Sequence, residues 1–280
     1  MKYLIGIVTY NPELDRLREN LNAACSNTDA AMILLVDNAS SNIDELRVLM
    51  SEYNKLQIKE LDENKGVAYA LNVIGTEAEL MKCDWFMTLD QDSVLQPQIM
   101  NIFSEFVDRD DVAIIAPRIE DRNYGRQYAK NNSGVDLVDV CITSGNLVRT
   151  SIWRECRGYD DSMFIDGVDF DFCLSVKERN KKVIRINKAY LLQEVGQGYA
   201  RKIAGKTVAI LNHSYLRLYY ISRNYLYLGK KHGQLIRWIS PVLKRMLLVA
   251  LYEQNKIIKI RYMLLGCWDF ILGKMGKCRY

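Results

Sequence analysis

The 280-residue sequence predicts an α/β fold in which helices cover both faces of a mostly parallel sheet, and three observations lead to this prediction. Short apolar runs alternate with segments whose apolar residues recur every three or four positions. Turn-forming residues follow each apolar run. Hydrophobic residues make up 49% of the chain and charged residues 26%, which is typical of a globular protein with a large core. Such alternation is the pattern of βαβ units.

The first two strands and helices follow directly from this pattern. The first strand is the apolar run Lys2–Val8, and Pro12 opens the next helix because its fixed φ suits a first helical turn. One face of that helix carries Leu14, Leu17, Leu21 and Ala24. The second strand, Ala31–Val36, ends in the turn-rich loop Asp37–Ser41. The second helix carries Ile43, Leu46, Met50 and Tyr53.

Two further strand–helix pairs complete the first half. Leu56–Glu60 is a short strand, and the helix after Gly66 carries Val67, Ala70, Leu71, Ile74, Ala78 and Met81. Trp85–Leu89 is the fourth strand, and Pro97 begins a helix that carries Ile99, Ile102, Phe103, Phe106 and Val107. The chain contains neither GxGxxG nor GxxxxGK[ST], which excludes a dinucleotide fingerprint and a P-loop.

Beyond about Val112 the alternation loosens. The predicted strands are Val112–Ala116, Val140–Leu147, Val183–Ile186 and Tyr190–Gln193, and the chain becomes helical from Leu211. We expect a main domain at 1–228, with a nucleotide-binding half at about 1–115 and an acceptor half at about 116–228. Residues 229–280 are expected to form a basic amphipathic helical tail.

Composition also bears on the compartment. Seven cysteines are scattered without a CxxC pair, which predicts reduced thiols and neither a disulfide framework nor a zinc site. The pattern of the first residues predicts a strand and not a signal peptide. No stretch approaches the roughly 18–20 apolar residues that span a bilayer. We therefore expect a cytoplasmic protein that is soluble or attached to a membrane surface.

The predicted tail differs in charge from the rest of the chain. It carries 11 Lys and Arg against two acids, whereas 27 basic and 32 acidic residues precede it. Its two apolar stripes are Leu235, Ile239, Val242, Leu243, Met246, Leu247 and Ala250, and Ile257, Ile260, Leu264, Trp268 and Ile271. Cations beside these stripes predict binding to an anionic membrane surface. The alternative is that the stripes pack on the body of the protein or on another subunit.

Four polar loops follow predicted strands, and the ends of parallel strands meet at one rim. The loops are Thr9–Pro12, Asp37–Ser40, Glu63–Gly66 and Asp90–Asp92. They offer a carboxylate and amides for a nucleoside, a lysine for a diphosphate, and two hard oxygen ligands for Mg²⁺ or Mn²⁺. Each loop alone reads equally well as a turn or a cap. The four in order predict a nucleotide site.

The motifs VTYNP, VDNAS, ENKG, LDQDS and FIDGVDFDFC resemble those of the family 2 glycosyltransferases of GT-A fold. Within that family the chain is most similar to bacterial rhamnosyltransferases of surface-polysaccharide assembly. The resemblance covers Met1 to about Leu228 and extends more weakly through the tail. It implies a Rossmann-like GT-A sheet and an inverting transfer of a sugar from a nucleotide donor to an acceptor hydroxyl.

The same resemblance implies roles for individual residues. Asp90 is expected near the ribose, and Asp92 is expected on a divalent ion, Mg²⁺ or Mn²⁺, with Asp90 beside it. A bound cation stabilises the charge of a leaving nucleoside diphosphate. The expected donor-binding residues are Thr9, Tyr10, Asn11, Asp37, Asn38, Asn64, Lys65, Gly66, Asp90, Gln91, Ser144, Gly145 and Asn146.

Inversion by direct displacement also needs a base that faces the anomeric carbon. The motif FIDGVDFDFC supplies three acids. The resemblance puts the base at Asp169, with Asp166 as the alternate and Asp171 in a structural role. Since acidic residues also occur at helix N-termini as caps, the alternative interpretation of Asp169 is a capping residue.

One position departs from the family pattern. Family members often have a histidine in Leu-x-His-x-x-Gly that helps to bind the ion, whereas this chain has Gln193 there. His213 is the candidate for a replacement ligand, and its alternative is a structural histidine. The segment 196–206, with glycines at both ends and three cations, is a candidate lid over the diphosphate or an ordinary solvated loop.

The prediction is therefore a metal-dependent rhamnosyltransferase that uses dTDP-rhamnose. It is expected to act on a polyprenyl-diphosphate-linked oligosaccharide at the inner face of the cell membrane. The alternatives are a galactosyl, glucosyl or galactofuranosyl transferase with a UDP donor, and a non-catalytic membrane-associated protein that binds a sugar nucleotide. No nucleic acid partner is expected, and a homo-oligomer is left open.

Overall fold

The computed structural model of the chain describes residues 1–27, 29–54, 56–122, 134–193, 199–203, 206–210 and 212–280. The chain divides into two compact units. The first, here the sheet unit, comprises Met1–Asp160 and Asp169–Glu194, and the second, here the helical unit, comprises Asp161–Val168 and Val195–Tyr280. The division expected between residues 228 and 229 stays a prediction.

The sheet unit is built on one sheet, to which nine strands contribute among the described residues. In chain order they are β1 (Tyr3–Thr9), β2 (Met32–Asp37), β3 (Leu56–Glu60), β4 (Trp85–Asp90), β5 (Val94–Leu95), β6 (Val112–Asp121), β7 (Val135–Leu137), β8 (Asn146–Arg149) and β9 (Lys182–Gln193). Their order across the sheet is β3-β2-β1-β4-β8-β6-β9-β5, and β7 also pairs with β9.

The first four strands form the parallel half of this sheet. β1 lies between β2 and β4 and runs parallel to both, and β3 is parallel to β2. In this register Thr9 lies opposite Asp37, and Val8 lies opposite Asp90. The carboxyl ends of β1, β2 and β4 therefore meet at one edge, as the sequence predicts.

The other half of the sheet is mixed. β6 and β9 are parallel, whereas β8 runs antiparallel to both β4 and β6. β5 and β7 are antiparallel to β9. Because β8 runs against β4, its first residue, Asn146, lies opposite Thr88 near the end of β4. The beginning of β8 thus reaches the same edge as the end of β4.

Helices accompany the sheet in the predicted alternation. They are α1 (Leu14–Ser26), α2 (Ile43–Ser51), α3 (Val67–Leu80), α4 (Ile99–Phe103), α5 (Thr150–Glu155) and α6 (Val168–Glu178). The apolar stripe of α1 is buried as predicted, since Leu17, Leu21 and Ala24 are inaccessible to solvent. These side chains share one hydrophobic cluster with Ile5 and Ile7 of β1.

The helix predicted to reach Val107 is shorter in the structure. α4 ends at Phe103, and the backbone continues in turns, with the Phe106 N–H bonded to the Phe103 carbonyl at 3.0 Å. Arg149 Nη2 donates to the Val107 carbonyl at 3.0 Å and to the Arg109 carbonyl at 2.8 Å. Because these carbonyls accept from Arg149, they need no helical partner.

Three strand predictions also need correction. Residues 140–145 are not a strand, because Gly145 adopts a φ of +81° in a turn that precedes β8. The strands predicted at Val183–Ile186 and Tyr190–Gln193 are one continuous strand, β9. β9 follows β6 across a register shift between Pro117 and Arg118, which absorbs the intervening polar residues.

The helical unit contains helices α7 (Tyr215–Lys231), α8 (Leu235–Tyr252) and α9 (Lys256–Ile271). α7 packs against α8 and α9 around a small core of Leu218, Val249 and Met263. α9 approaches α7 closely at Gly266, where a Cβ atom would lie 2.3 Å from the Tyr219 carbonyl oxygen. A larger residue at Gly266 would therefore separate the two helices.

A two-stranded antiparallel hairpin also belongs to this unit. It is formed by β10 (Tyr199–Ile203) and β11 (Lys206–Ile210). The candidate lid at 196–206 overlaps this hairpin, and its residues 196–198, 204 and 205 lie outside the described residues.

The surfaces of α8 and α9 expose many large apolar side chains. Those more than half exposed are Ile236, Leu243, Leu247 and Leu251 on α8, and Ile257, Leu264, Trp268 and Ile271 on α9. A groove of about 770 Å³ on α9 is lined by Arg261 and apolar side chains. In the part of the chain that the structure describes, the helices are too short or too polar to cross a membrane.

Candidate active site at the strand ends

The ends of β1 and β2 hold a buried carboxylate, Asp37. Its Oδ1 atom accepts from the Thr9 hydroxyl at 2.9 Å and from the Ser40 hydroxyl at 2.5 Å, and its Oδ2 atom accepts from the Ser40 N–H at 2.8 Å. Asp37 and Thr9 are almost inaccessible to solvent. Because a carboxylate has about four acceptor positions, this arrangement fixes Asp37 and leaves room for one further donor on Oδ2.

Asn11 ties the loop after β1 to the loop after β2. Its backbone N–H donates to the Ser40 hydroxyl at 2.8 Å, and its Oδ1 atom accepts from Ser41 N–H at 2.8 Å and from the Ser41 hydroxyl at 2.9 Å. Asn11 has a φ of +46°, which Asn tolerates better than most residues. Next to it, the Tyr10 N–H donates to Gln91 Oε1 at 2.8 Å, which joins these loops to the loop after β4.

Asn38 connects this network to the start of α3. Its Oδ1 atom accepts from the Lys65 N–H at 2.9 Å, and Asn64 Oδ1 accepts from the Gly66 N–H at 3.0 Å. Gly66, with a φ of +88°, is the N-cap of α3. Lys65 Nζ lies 5.0 Å from the centre of the Tyr69 ring. A helix N-terminus beside a lysine favours a phosphate group.

Asp90 ends β4 and is held on several sides. Its Oδ2 atom accepts from Gln193 Nε2 at 2.8 Å, and its carbonyl accepts from Asn20 Nδ2 at 2.7 Å. Its N–H donates to the Ser144 hydroxyl at 3.0 Å, which in turn donates to the Ser93 hydroxyl at 2.8 Å. The sequence interpretation missed Asn20, whose signal is a polar residue within the buried stripe of α1.

The stretch Ser144–Asn146 reaches this edge from the opposite direction. The Gly145 N–H donates to the Thr88 carbonyl at 2.7 Å, so the turn before β8 lies against β4. Asn146 Nδ2 donates to the Ile142 carbonyl at 2.6 Å. Its buried Oδ1 atom has no hydrogen-bond partner among the described residues. That atom is a candidate acceptor for a sugar hydroxyl.

The donor set around Asp90 fits a divalent ion that also binds a substrate. Among the described residues, no three His, Cys, Asp or Glu side chains form a metal cluster. Mg²⁺ commonly uses one or two carboxylates and completes its shell with phosphate oxygens and water. Asp90 and the half-buried Asp92 supply such carboxylates. Gln193 Oε1, buried and without a partner among the described residues, is a third oxygen.

The two proposed bases fall in different units. Asp169 belongs to the sheet unit, as Asp92 does, and lies in the first turn of α6 with its Oδ1 atom 2.9 Å from the Phe170 N–H. Asp171 is buried at 2% exposure, which suits the structural role that was expected for it.

Asp166 belongs to the helical unit. Its Oδ1 atom accepts from Arg217 Nε at 3.0 Å, and its Oδ2 atom is buried without a hydrogen-bond partner among the described residues. Burial raises the pKa of Asp166, and Arg217 opposes this shift. A carboxylate in such surroundings is a stronger base than an exposed one.

His213 also belongs to the helical unit. Burial lowers its pKa to about 3, and the positive charges of Arg217, Arg245 and Lys259 act in the same direction. The imidazole is therefore neutral at physiological pH. A neutral imidazole has the lone pair that a metal ligand needs, whereas its cationic neighbours oppose the approach of a further cation.

Comparisons with known proteins agree on one family. Residues 4–166 match the family model described as Glycosyl transferase family 2. The dTDP-rhamnosyl transferase RfbF of Shigella flexneri is 29% identical to this chain over 296 residues, which cover 98% of this chain and 97% of that protein.

Solved structures share the fold. S. aureus TarS 1-349 in complex with UDP-GlcNAc gives a TM-score of 0.62 at 15% identity, covering 98% of this chain and 82% of that chain. GalNAc-T7 with UDP, GalNAc and Mn²⁺ gives a TM-score of 0.59 at 11% identity, covering 98% of this chain and 58% of that chain. At identities this low the similarity shows the fold alone. That fold is the expected GT-A type.

Proposed function

Because the chain belongs to glycosyl transferase family 2 and is thus a glycosyltransferase, we propose that it transfers a sugar from a nucleotide donor to an acceptor hydroxyl with inversion. The single observation that carries this proposal is the rim at the ends of β1, β2 and β4. There Thr9 binds Asp37 and Asn38, Asn38 binds the start of α3, and the Tyr10 N–H links this network to Gln91, the neighbour of Asp90. Preorganised groups of this kind bind a ligand without a cost of reordering.

The donor is proposed to lie along this rim. Thr9, Asn11 and Asp37 surround the nucleoside, with Asp37 Oδ2 as an acceptor for a donor group of the base or ribose. Lys65 and the N-terminus of α3 face the diphosphate, since both favour negative charge. The remaining donor-binding proposals are Tyr10, Asn38, Asn64, Gly66, Asp90, Gln91, Ser144, Gly145 and Asn146.

A divalent cation, Mg²⁺ or Mn²⁺, is proposed as the cofactor. Asp92 and Asp90 would hold it, with Gln193 as a neutral oxygen donor and His213 as a further proposed ligand. When bound, the ion supplies positive charge that stabilises the leaving diphosphate.

The proposed reaction is a single displacement. The acceptor oxygen attacks the anomeric carbon as the bond from that carbon to the diphosphate oxygen breaks. The base takes the proton of the acceptor hydroxyl, so the products are the glycoside and the nucleoside diphosphate. Asp169 is the first candidate for the base and Asp166 the second. Asp169 is supported as the base by its position in the sheet unit, to which Asp92 also belongs. Asp166 is supported by its raised pKa.

The donor sugar is proposed to be rhamnose from dTDP-rhamnose. Similarity to the Shigella flexneri rhamnosyl transferase over nearly the whole length of both chains supports this choice. The alternative is a UDP-hexose donor, for galactosyl, glucosyl or galactofuranosyl transfer. TarS shares the fold and binds UDP-GlcNAc in its complex, which is a reason to include UDP-linked donors in the test.

The acceptor is proposed to be an oligosaccharide on a polyprenyl diphosphate, in the synthesis of a bacterial surface polysaccharide. Residues 229–280 would place the protein on the inner face of the cell membrane, where such an acceptor lies. The exposed apolar side chains of α8 and α9, together with the 11 cations of residues 229–280, support this location.

A donor panel tests the proposal. Thermal shift measurements with dTDP-rhamnose and UDP-hexoses, each with and without Mn²⁺, should give the largest stabilisation for dTDP-rhamnose with the ion. Donor turnover is then measured with the same panel. Preference for a UDP-hexose would select the alternative donor, and binding without turnover would select the non-catalytic alternative.

A further inference from the structure

The loop Asp161–Gly167, here called the acid loop, has an unusual backbone. Phe164, Asp166 and Gly167 have φ values of +67°, +62° and +84°. Residues other than glycine adopt this region at an energetic cost and remain there only where surrounding contacts determine the conformation. The contacts that determine the acid loop are therefore part of how Asp166 is presented.

Two neighbouring side chains of α7 supply those contacts. The NH₂ group of Asn224 lies within hydrogen-bond distance of the carbonyl oxygens of Met163 at 2.9 Å, Ile165 at 2.7 Å and Asp166 at 2.8 Å, so its two hydrogens are shared among three acceptors. Arg223 Nη2 donates to the Met163 carbonyl at 3.0 Å, and Arg223 Nε donates to Asn224 Oδ1 at 2.9 Å. Both side chains are inaccessible to solvent.

A buried guanidinium is costly unless its donors find partners. Gly276 supplies a further acceptor for the Arg223 guanidinium, because its carbonyl accepts from Arg223 Nη1 at 2.6 Å. The Gly276 N–H also donates to the Ser162 carbonyl at 2.6 Å, so this residue binds both Arg223 and the acid loop.

The segment Gly276–Tyr280, here called the brace, is itself anchored. Asp269 of α9 accepts from the Tyr280 hydroxyl at 3.0 Å and from the Tyr219 hydroxyl at 2.7 Å. The Cys278 N–H donates to the Tyr220 hydroxyl at 2.7 Å. The Tyr220 ring stacks on Phe164 of the acid loop, with 5.3 Å between centroids and 14° between planes.

We propose that Arg223 and Asn224 are positioning residues for glycosyl transfer, which hold the acid loop in its strained conformation while the brace holds Arg223. The proposal rests on the proposed function, in which Asp166 is a candidate base. It assigns a role to two buried polar residues that the proposals for donor and ion binding do not include. Polar side chains with so many directed bonds specify one conformation of the loop they contact.

Steady-state kinetics of the full chain test the proposal. In Asn224→Ala three loop carbonyls lose their donor, and we expect kcat to fall about 100-fold, as expected when a catalytic group is displaced by about 1 Å. KM for the nucleotide sugar should stay within about twofold, because the donor rim is unchanged. Arg223→Lys keeps the charge but loses the fork of donors, so an intermediate kcat is expected.

Milder variants keep the test decisive if Asn224→Ala does not fold. Tyr280→Phe alters only the brace, and Asp269→Asn alters the α9 residue that anchors it and that also binds Tyr219. Both variants should also lower kcat at an unchanged KM for the donor. Lys277→Ala, an exposed position within the brace, is the matched control and should behave as the wild type. Folded variants with the wild-type kcat, or losses that appear in KM for the donor, would overturn the positioning role. Absence of transfer by the wild type would instead refute the proposed function, and this inference with it.

Discussion

At the scale of single residues, Asp37 illustrates how the fold fixes a side chain that is proposed to bind the donor. Three hydrogen bonds hold its carboxylate, and one of the donors is the backbone N–H of Ser40. The register of β1 and β2 places Thr9 opposite Asp37, so the sheet itself positions the first donor. The loop that follows β2 then supplies the other two.

Asp37→Asn should destabilise the protein and weaken donor binding. An NH₂ group at the Oδ2 position would face the Ser40 N–H, and at the Oδ1 position it could no longer accept from the Thr9 and Ser40 hydroxyls. We expect a cost of about 1–3 kcal/mol in the free energy of unfolding. Urea denaturation measures stability, and calorimetric titration with the nucleotide sugar measures affinity. Asp62→Asn, at an exposed position, is the control. Unchanged stability and affinity in Asp37→Asn would contradict the assignment.

Asp166 should leave a signature in the pH dependence of stability. Burial raises its folded-state pKa above the unfolded value of about 3.9, although Arg217 opposes the shift. The stability that Asp166 contributes is therefore full below the unfolded pKa and is lost as pH rises through the folded pKa. The wild type should lose stability relative to Asp166→Asn over that window. Urea denaturation from pH 4 to 8 measures the free energy of unfolding of both proteins. If the wild type instead became more stable than Asp166→Asn as the pH rises, the prediction would be refuted.

At the scale of elements, local periodicity was enough to predict β1 to β4 and helices α1 to α3. β1, β2 and β4 are buried apolar runs, whereas β3 is a partly exposed strand in which Leu56 and Ile58 alternate with polar residues. Each helix carries an apolar face toward the core, so sequence and tertiary structure favour the same element. α4 was predicted too long because the apolar spacing continues to Val107, where the backbone has left the helix and the distant Arg149 binds the Val107 and Arg109 carbonyls. No local pattern contains that contact.

The positions of the candidate site residues at the strand ends were predictable in part. Residues at the ends of parallel strands, such as Asp37 and Asp90, follow from strand prediction alone. The approach of Ser144–Asn146 does not, because it depends on β8 running antiparallel to β4. Asn20, Arg223 and Asn224 act through distant backbone carbonyls and carry no motif of their own.

Gly266→Ala should weaken the packing of α9 on α7. The added Cβ atom would lie 2.3 Å from the Tyr219 carbonyl and 3.2 Å from the Arg223 backbone nitrogen, so one helix must move. We expect a loss of about 1–3 kcal/mol in the free energy of unfolding. Urea denaturation followed by circular dichroism is the measurement. Leu264→Ala, at an exposed position of α9, should change stability by less than about 0.5 kcal/mol. Equal effects of the two substitutions would contradict this account of the α7–α9 contact.

At the scale of the whole molecule, charge is distributed unevenly along the chain. The 11 cations and two acids of residues 229–280 contrast with the acidic excess before them. The same residues carry α8 and α9, whose exposed apolar side chains would be costly in water if no partner covered them. The proposed anionic membrane surface would account for both features, since its headgroups would attract the cations and its acyl region would accept the apolar side chains.

Vesicle sedimentation tests this attachment to membranes. The full chain should sediment with vesicles that contain an anionic lipid and much less with neutral vesicles. Binding should weaken between 0.1 and 1 M salt, because the Debye length falls from about 10 to about 3 Å. Ile257→Ser combined with Trp268→Ser removes exposed apolar side chains of α9 without altering charge, and should reduce binding, whereas Val48→Ser, at an exposed position of α2, should not. Equal sedimentation of all variants would refute the role of α9. If light scattering instead showed a dimer that Trp268→Ser dissociates, the partner of this face would be a second copy of the chain.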